Sequence, residues 1–502
     1  MKRKISATMA TQHPDHAGIP YWHNKELIST NHESKETYLA FSELSINEYK
    51  WDWEGKLVDE SVLERLFGEY FEFFKKHPLG QETYLTFRLP NPKVQTEFRI
   101  GRAFMNIASA ASVAKHFQLP TPPLFEVILP MTTSAEEIIA IQLAYKEIHA
   151  LTHPLYRLEK ILTNPRVIPL FEDVPTIIKS DKIIEKYVGL YEKEFGKKPA
   201  RLRPYVARSD PALNFGMVPT VFAIKIALSR YRLLEKKLGI PFYPIIGAAV
   251  LPFRGGIDPL HVKKFADEYK GIRTTTIQSA FRYDFPKKDV IRAVKYLEST
   301  LAKRKADIIP PKDEKIMLDL IPFFEKNYRE TIEQIAPIIN VVAKFLPKRR
   351  ERVQHIGLFG YSRGVGKVKL PRAIAFTAAL YSLGIPPEFI GTGRGLKLAA
   401  KSGKLEIVKK YYKYISKDLD QAGRYVNREN IEKLAAKSGI YNQILKDLKS
   451  VEELLDIKLG PKTKEELEHK NLTSKILNNL DSGDSSLTDL ITRAAIIRRS
   501  LG

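Results

Sequence analysis

The strongest constraint in this sequence is a recurring pattern: short apolar runs, each stopping at a charged residue, separated by helical stretches. Arg166-Val-Ile-Pro-Leu-Phe stops at Glu172-Asp173. Arg203-Pro-Tyr-Val-Ala-Arg stops at Ser209-Asp210, and Ile245-Ile-Gly-Ala-Ala-Val-Leu-Pro-Phe stops at Arg254-Gly255-Gly256. Runs of this kind read as parallel strands joined by crossover helices. Tyr84–Arg88, Leu124–Met131, Ile272–Gln278 and His355–Tyr361 extend the series to at least seven strands, with an eighth not placed. The pattern predicts an α/β fold: a (β/α)8 TIM-type barrel with extensive additional helices, helix-rich overall. Residues 61–74 and 97–117 have helical spacing, and Thr133-Ser134-Ala-Glu-Glu137 reads as a capped helix start. The expected organisation is a single catalytic unit over residues 1–502. Within it, the barrel core is expected near 80–370, residues 1–79 contribute to the site, and 371–502 form a helical region.

Composition excludes some chemistries and leaves others open. With no cysteine in 502 residues there is neither a thiol nucleophile nor a zinc–thiolate cluster. No run of 18 apolar residues exists and the amino terminus lacks an apolar signal core, so the expectation is a soluble cytoplasmic protein without membrane contact. The balance of 81 basic to 58 acidic residues could mark a nucleic-acid binder. The lysines are instead spread along the chain without an RNA-binding or zinc-finger motif, which reads as a solvated surface and no nucleic-acid partner.

Polar residues at the carboxyl ends of parallel strands face a shared crevice, where reacting groups usually sit. Glu172 and Asp210 are candidate ligands for Mg2+ or Mn2+, since magnesium takes one or two protein carboxylates, or else two solvated strand-end acids; Asp173 is as well placed as Glu172. Arg254-Gly255-Gly256 joins a guanidinium to backbone that can approach an anion closely, and Arg88 ends another strand. His13, in Thr11-Gln12-His13-Pro14-Asp15, can shuttle protons near neutral pH or be structural. Trp51-Asp-Trp-Glu-Gly-Lys56 is equally consistent with a surface turn. Gly360-Tyr-Ser-Arg363-Gly-Val-Gly-Lys367 is glycine-rich and basic, but Val368 follows the lysine where a P-loop needs a hydroxyl, which disfavours nucleotide binding. Gly391-Thr-Gly-Arg394 fits either a turn at a helix end or a ligand contact.

Taken in order, these segments resemble phosphoenolpyruvate carboxylase in its short, archaeal-type form. The resemblance rests on Met9–Asp15, Trp51–Lys56, Phe125–Ser134, Ile168–Glu172, Ala207–Gly216 and Phe253–Gly256. Gln278 with Arg282-Tyr283, Leu370-Pro-Arg-Ala-Ile374 and the terminal Arg-Ser-Leu-Gly complete it. The resemblance implies irreversible carboxylation of phosphoenolpyruvate by bicarbonate, through carboxyphosphate and a pyruvate enolate stabilised by the metal, giving oxaloacetate and phosphate. It further implies an anaplerotic role and a homotetramer. Carried onto matching positions, Glu172 and Asp210 would hold the metal. Arg88, Arg254, Gly255, Gly256, Gln278 and Arg282 would bind substrate, with Arg363 a further catalytic candidate. His13 would assist carboxyphosphate breakdown, and Arg372 and Arg499 would line a site for an aspartate or malate inhibitor. The chain departs from the long form after Gly256, where Ile257-Asp-Pro stands in place of a second glycine–arginine repeat. The competing readings are another magnesium-dependent barrel enzyme acting on an enolpyruvate or keto acid, and an RNA-binding basic protein.

Overall fold

Eight parallel strands close on themselves in chain order in the computed structural model, which describes residues 3–54, 58–93, 98–119, 126–156, 165–351, 368–480 and 486–502. They are β1 (Thr8–Thr11), β2 (Glu48–Asp52), β3 (Tyr84–Arg88), β4 (Glu126–Leu129), β5 (Arg166–Phe171), β6 (Tyr205–Ala207), β7 (Ile245–Gly247) and β8 (Thr274–Ile277). Pairing of Thr8 with Thr275 and of Met9 with Thr276 seals the barrel. The expected helix-rich (β/α)8 architecture is therefore present. Its extent differs from expectation: β1 and β2 lie before residue 80 and β8 ends at Ile277, so the barrel strands span residues 8–277 rather than starting near 80. The proposed strand His355–Tyr361 lies outside the described residues, and the barrel closes without it.

The first two strands escape an apolar pattern for different reasons: β1, Thr8-Met-Ala-Thr11, is four residues with threonine at both ends, and the inward residues of β2 are charged. In β2 the sequence Glu48-Tyr-Lys-Trp-Asp52 alternates, as a strand must. Tyr49 and Trp51 pack outward into the main core, and the Tyr49 hydroxyl donates to Glu36 on the helix Glu33–Ser42 (2.9 Å). Glu48 and Lys50 point inward. At the amino-terminal end of the barrel, Arg203 donates to both Glu48 oxygens (2.9 Å each) and to Glu126 (2.6 Å). Arg3 joins the same two carboxylates and Arg201 reaches Glu126. Above this charged floor sits a small apolar layer of Met9, Ile128, Ile168, Leu170, Tyr205, Ala207 and Ile245. The interior is thus a plug, open only at the carboxyl ends of the strands.

Local signals explain how the crossover helices start and stop. Asp173 caps the helix Val174–Phe195 by accepting from the Thr176 amide (2.9 Å), and Gly196 ends it at φ 66°. Two strands are shorter than their apolar runs. After β6, Ser209-Asp-Pro opens a helix over Ser209–Phe215, so Asp210 stands in a first helical turn. After β7, Pro252 starts a 3-10 turn, Pro252–Arg254, that carries Arg254. From residue 311 onward the described structure is helical, led by Pro311–Ala343. Gly391-Thr-Gly-Arg394 is a structural helix start. A Cβ at Gly393 or Gly395 would collide with the Asp447 backbone or the Phe324 ring, and Arg394 is held by Asp447. No helix among the described residues is long and apolar enough to cross a membrane.

Candidate active site

The carboxyl ends of the strands open into a cavity of about 540 Å³. His13, Arg88, Glu172, Asp210, Arg254, Gln278 and Arg372, drawn from segments hundreds of residues apart, all line it. Lys50 from β2 and the segment Leu346–Glu351 complete its walls. Seven cationic residues and three carboxylates line the cavity, which suits small anionic substrates.

Arg254 is 1% exposed and almost wholly engaged. Its Nε donates to Ser209 Oγ (3.1 Å), its Nη2 to Gln278 Oε1 (2.7 Å), and its Nη1 to Asp15 (3.4 Å) and to the Gly502 carbonyl. Burial lowers its pKa, which Asp15 and Asp210 oppose. Asp15 also accepts from the Ser279 hydroxyl and the Ala280 amide (2.9 Å each), binding the loop after β1 to the turn after β8. Arg88 donates through Nε to Asp52 (2.7 Å) and pairs with Glu54 (2.6 Å). Burial acts to lower its pKa, but Asp52 and Glu54 outweigh it, so this cation is fixed. Glu172 accepts from the Met131 amide (2.7 Å), which orients one carboxylate oxygen. Arg88, Glu172 and Asp210 all act electrostatically on the buried Tyr205 hydroxyl.

His13 is half-buried, with Nδ1 2.8 Å from Thr11 Oγ1. Burial first, and Lys50 next, hold its pKa well below the usual imidazole value, so the ring is neutral at pH 7 and able to accept a proton. Lys50 is 1% exposed, and burial together with Arg88 pulls its amine down to about 8.

The family model for phosphoenolpyruvate carboxylase matches residues 5–502. The chain belongs to the phosphoenolpyruvate carboxylase family. Curated phosphoenolpyruvate carboxylases of similar length agree with it end to end. That of Methanospirillum hungatei is 38% identical, covering 99% of this chain and all of the relative. Those of Metallosphaera sedula, 37% identical with both chains fully covered, and Leuconostoc mesenteroides, 35% identical over all of this chain and 99% of its own, are similar. Matches of that coverage are what the short form of phosphoenolpyruvate carboxylase requires.

Within this family assignment, not every expected residue reaches the cavity. Arg282 is fully buried beside it, donating to Glu36 (3.0 Å) and to the Thr11 carbonyl (2.7 Å). It braces the loop that presents His13. Gly255 and Gly256 form the positive-φ turn behind Arg254, and a Cβ on Gly255 would strike Ala248. Arg372 is at the cavity rim, whereas Arg499 stacks over Phe285, 5.2 Å from its ring centre. Arg363 and the Gly360–Lys367 loop lie outside the described residues. Asp173 is committed to its helix cap, which leaves Glu172 as the cavity acid of that pair.

Sequence reasoning missed Lys50 and the basic segment Lys348-Arg349-Arg350. The period-two alternation of β2 could have found Lys50. Arg349 donates to the His16 carbonyl (3.1 Å) and pairs with Glu26, while Arg350 pairs with Glu36 (2.6 Å) and Glu33. They tie the cavity wall to the amino-terminal segment.

The donor chemistry fits a hard divalent cation. Among the described residues no group of three or more histidines, aspartates or glutamates converges as a metal cage. Magnesium does not need one, because water and substrate oxygens complete its shell around one or two carboxylates. Glu172 and Asp210 are such a pair on adjacent strand ends.

Proposed function

We propose that this chain carboxylates phosphoenolpyruvate at the cavity above the barrel, with bicarbonate as co-substrate and oxaloacetate and phosphate as products. The observation that carries this reading is the convergence of His13, Arg88, Glu172, Asp210 and Arg254 in one cavity of a family member. Glu172 and Asp210 would hold Mg2+ or Mn2+, which when bound supplies Lewis-acid stabilisation of developing enolate charge.

The remaining chemistry follows from the side chains. A bicarbonate oxygen attacks phosphorus and the enol C–O–P link breaks, leaving carboxyphosphate and the pyruvate enolate. Arg88 and Arg254 face the phosphoryl group with fixed positive charge, lowering the cost of the charge that develops there. Arg254 is held by Gln278, Ser209 and Asp15 before substrate arrives, so little reorganisation is needed. The neutral His13 accepts the carboxyphosphate proton as carbon dioxide and phosphate separate. The enolate methylene carbon then attacks carbon dioxide. Leu170, Tyr205, Ala207 and Leu501 line the cavity and help exclude the water that would otherwise turn the enolate into pyruvate.

On this reading the chain works as one catalytic unit, in the cytoplasm, as a homotetramer supplying four-carbon acids. The rim arginine Arg372 is the candidate contact for an aspartate or malate inhibitor, with Arg499 outside the cavity wall. The test is a coupled oxaloacetate assay with each of phosphoenolpyruvate, bicarbonate and Mg2+ omitted in turn, repeated on Asp210→Asn. Product should require all three, and the folded variant should lose at least about a thousandfold in kcat/KM. Near-normal activity in Asp210→Asn would remove the metal assignment.

A further inference from the structure

A second cavity, of about 460 Å³, lies at the opposite, amino-terminal end of the barrel. It opens between the later turns of the helix Met217–Leu238, the chain leading into β7 and β8, and the turn Leu301–Lys303 with the residues after it. Active sites of such barrels sit at the carboxyl face, and the amino-terminal face ordinarily serves stability. A cavity there is not part of the carboxylation machinery.

Its charge is lopsided. Arg232, Lys236, Arg273, Arg304 and Lys305 line it against one carboxylate, Glu235. Glu235 is already occupied, accepting the Phe242 amide (3.0 Å). A chain with 81 basic and 58 acidic residues has a surplus everywhere, but five to one around one half-open cavity exceeds that background.

Arg273 stands just before β8 and donates through Nη2 to the Ile5 carbonyl (3.3 Å), while its Nη1 is buried with no hydrogen-bond partner. Glu298, which acts on Arg273 electrostatically, directs Oε1 to the Ala7 amide (2.9 Å) and the Ser6 hydroxyl (3.1 Å) instead. A buried guanidinium N–H without an acceptor is costly, but Arg203, Arg282 and Arg350 each carry one too, so the charge lining the cavity weighs more than this one atom. Two neighbours are held in position: Arg304 by Asp267 (3.1 Å) and Tyr296 (3.3 Å), and Arg232 by the Ala306 carbonyl.

We infer that this cavity is a binding site for a small phosphate-bearing anion, distinct from the catalytic cavity. Guanidinium forks match phosphate oxygens bidentately, and the exposed Lys236 and Lys305 add charge at the mouth. The volume lies in the range of metabolite pockets, so the ligand is a phosphorylated small molecule larger than orthophosphate.

Tungstate, as a phosphate mimic, tests the site in crystals, and pyrophosphate tests it by calorimetry in solution. In the wild-type protein an anomalous peak is expected beside Arg273 and Arg232, separate from any peak in the catalytic cavity. Arg273→Gln should remove that peak and weaken one pyrophosphate site about tenfold or more, with KM for phosphoenolpyruvate unchanged. Because Arg273 also packs at the head of β8, the exposed pair Lys236→Glu/Lys305→Glu provides the same test without risk to the fold. An empty cavity overturns the inference, as does pyrophosphate binding unchanged in both variants. Tungstate present in the crystal with no solution binding to lose means an adventitious ion only, and overturns it equally.

Discussion

Replacing Arg203 by methionine should destabilise the protein by about 4 kcal/mol at neutral pH, without touching the catalytic cavity. The Arg203 side chain is 2% exposed and makes three hydrogen bonds to carboxylates, two to Glu48 and one to Glu126. Each charge-assisted bond is worth about 1.5–3 kcal/mol, but they do not simply add. Arg3 still faces both carboxylates in the variant and Arg201 still faces Glu126, so the two acids are weakened in their pairing rather than abandoned. Removing one partner from a buried ion pair costs about 3–5 kcal/mol, and the surviving arginines argue against anything larger. That is a substantial part of the roughly 5–15 kcal/mol by which proteins are stable.

The loss should also depend on pH in a stated direction. Burial acts to raise the pKa of Glu126, but Arg3 and Arg203 overcome it and hold the acid well below its ordinary 4.5; Glu48 is lowered in the same way. A depressed carboxylate contributes stability that is present above its unfolded pKa and is lost as pH falls towards the folded one. The variant has less depression to lose. The unfolded chains titrate alike, so the difference between wild type and Arg203→Met should be full at pH 7 and shrink as pH falls through the less depressed carboxylate pKa values of the folded variant. Urea unfolding followed by circular dichroism, at pH 7 and in steps down to about pH 2.5, measures both numbers. A loss under about 1 kcal/mol at pH 7, or a gap that stays constant into acid, would refute the account of the barrel floor.

Two further predictions concern titrating groups around the cavity. Lys50, with its amine pulled down to about 8 by burial and Arg88, should lose its charge as pH rises through that value. KM for phosphoenolpyruvate should climb between pH 8 and 9 in the wild type. In Lys50→Met it should be raised about tenfold and be flat over the same range, as steady-state kinetics would reveal. Glu388 accepts the Phe253 amide and the Tyr381 hydroxyl (2.8 Å each) beneath the Arg254 turn, and burial pushes its carboxyl up to about 7. Its pKa is raised above the unfolded 4.5, so the cost is absent below that value, grows between pH 4.5 and 7, and stays constant above. Glu388→Gln should therefore match the wild type in unfolding free energy near pH 4.5 and exceed it at pH 8, by up to about 3 kcal/mol. Equal gaps at both pH values would show that Glu388 is not the strained group.

Six of the eight strands were legible: β3 through β7 coincide with apolar runs such as Ile168-Pro-Leu-Phe, and β8 with the β-branched run Thr274-Thr-Thr-Ile277. Glu48–Asp52 was not, since its inward residues are hydrogen-bonded charges, and Thr8–Thr11 was not, being four residues with threonine at both ends. Cavity residues were legible where a strand end and a motif coincided, as at Glu172, Asp210 and Arg254. Lys50 was hidden in the middle of an unrecognised strand. Arg349 and Arg350 follow a long helix far along the chain, and only the tertiary fold brings them over the amino-terminal loop. Arg282 has the right neighbours in sequence, but its guanidinium turns to Glu36, a partner that sequence spacing does not reveal.

The central claim, that bicarbonate attacks phosphorus in this cavity and delivers its carbon to an enolate, is tested most directly by isotope transfer. Bicarbonate labelled with 18O in all three oxygens, given with phosphoenolpyruvate and Mg2+, divides its label in a way fixed by which bonds form. One labelled oxygen should appear in each phosphate released and two in the new carboxyl group of oxaloacetate, by mass spectrometry at early time. Phosphate free of label would mean that water or another group attacks phosphorus, and the account of this site would be wrong.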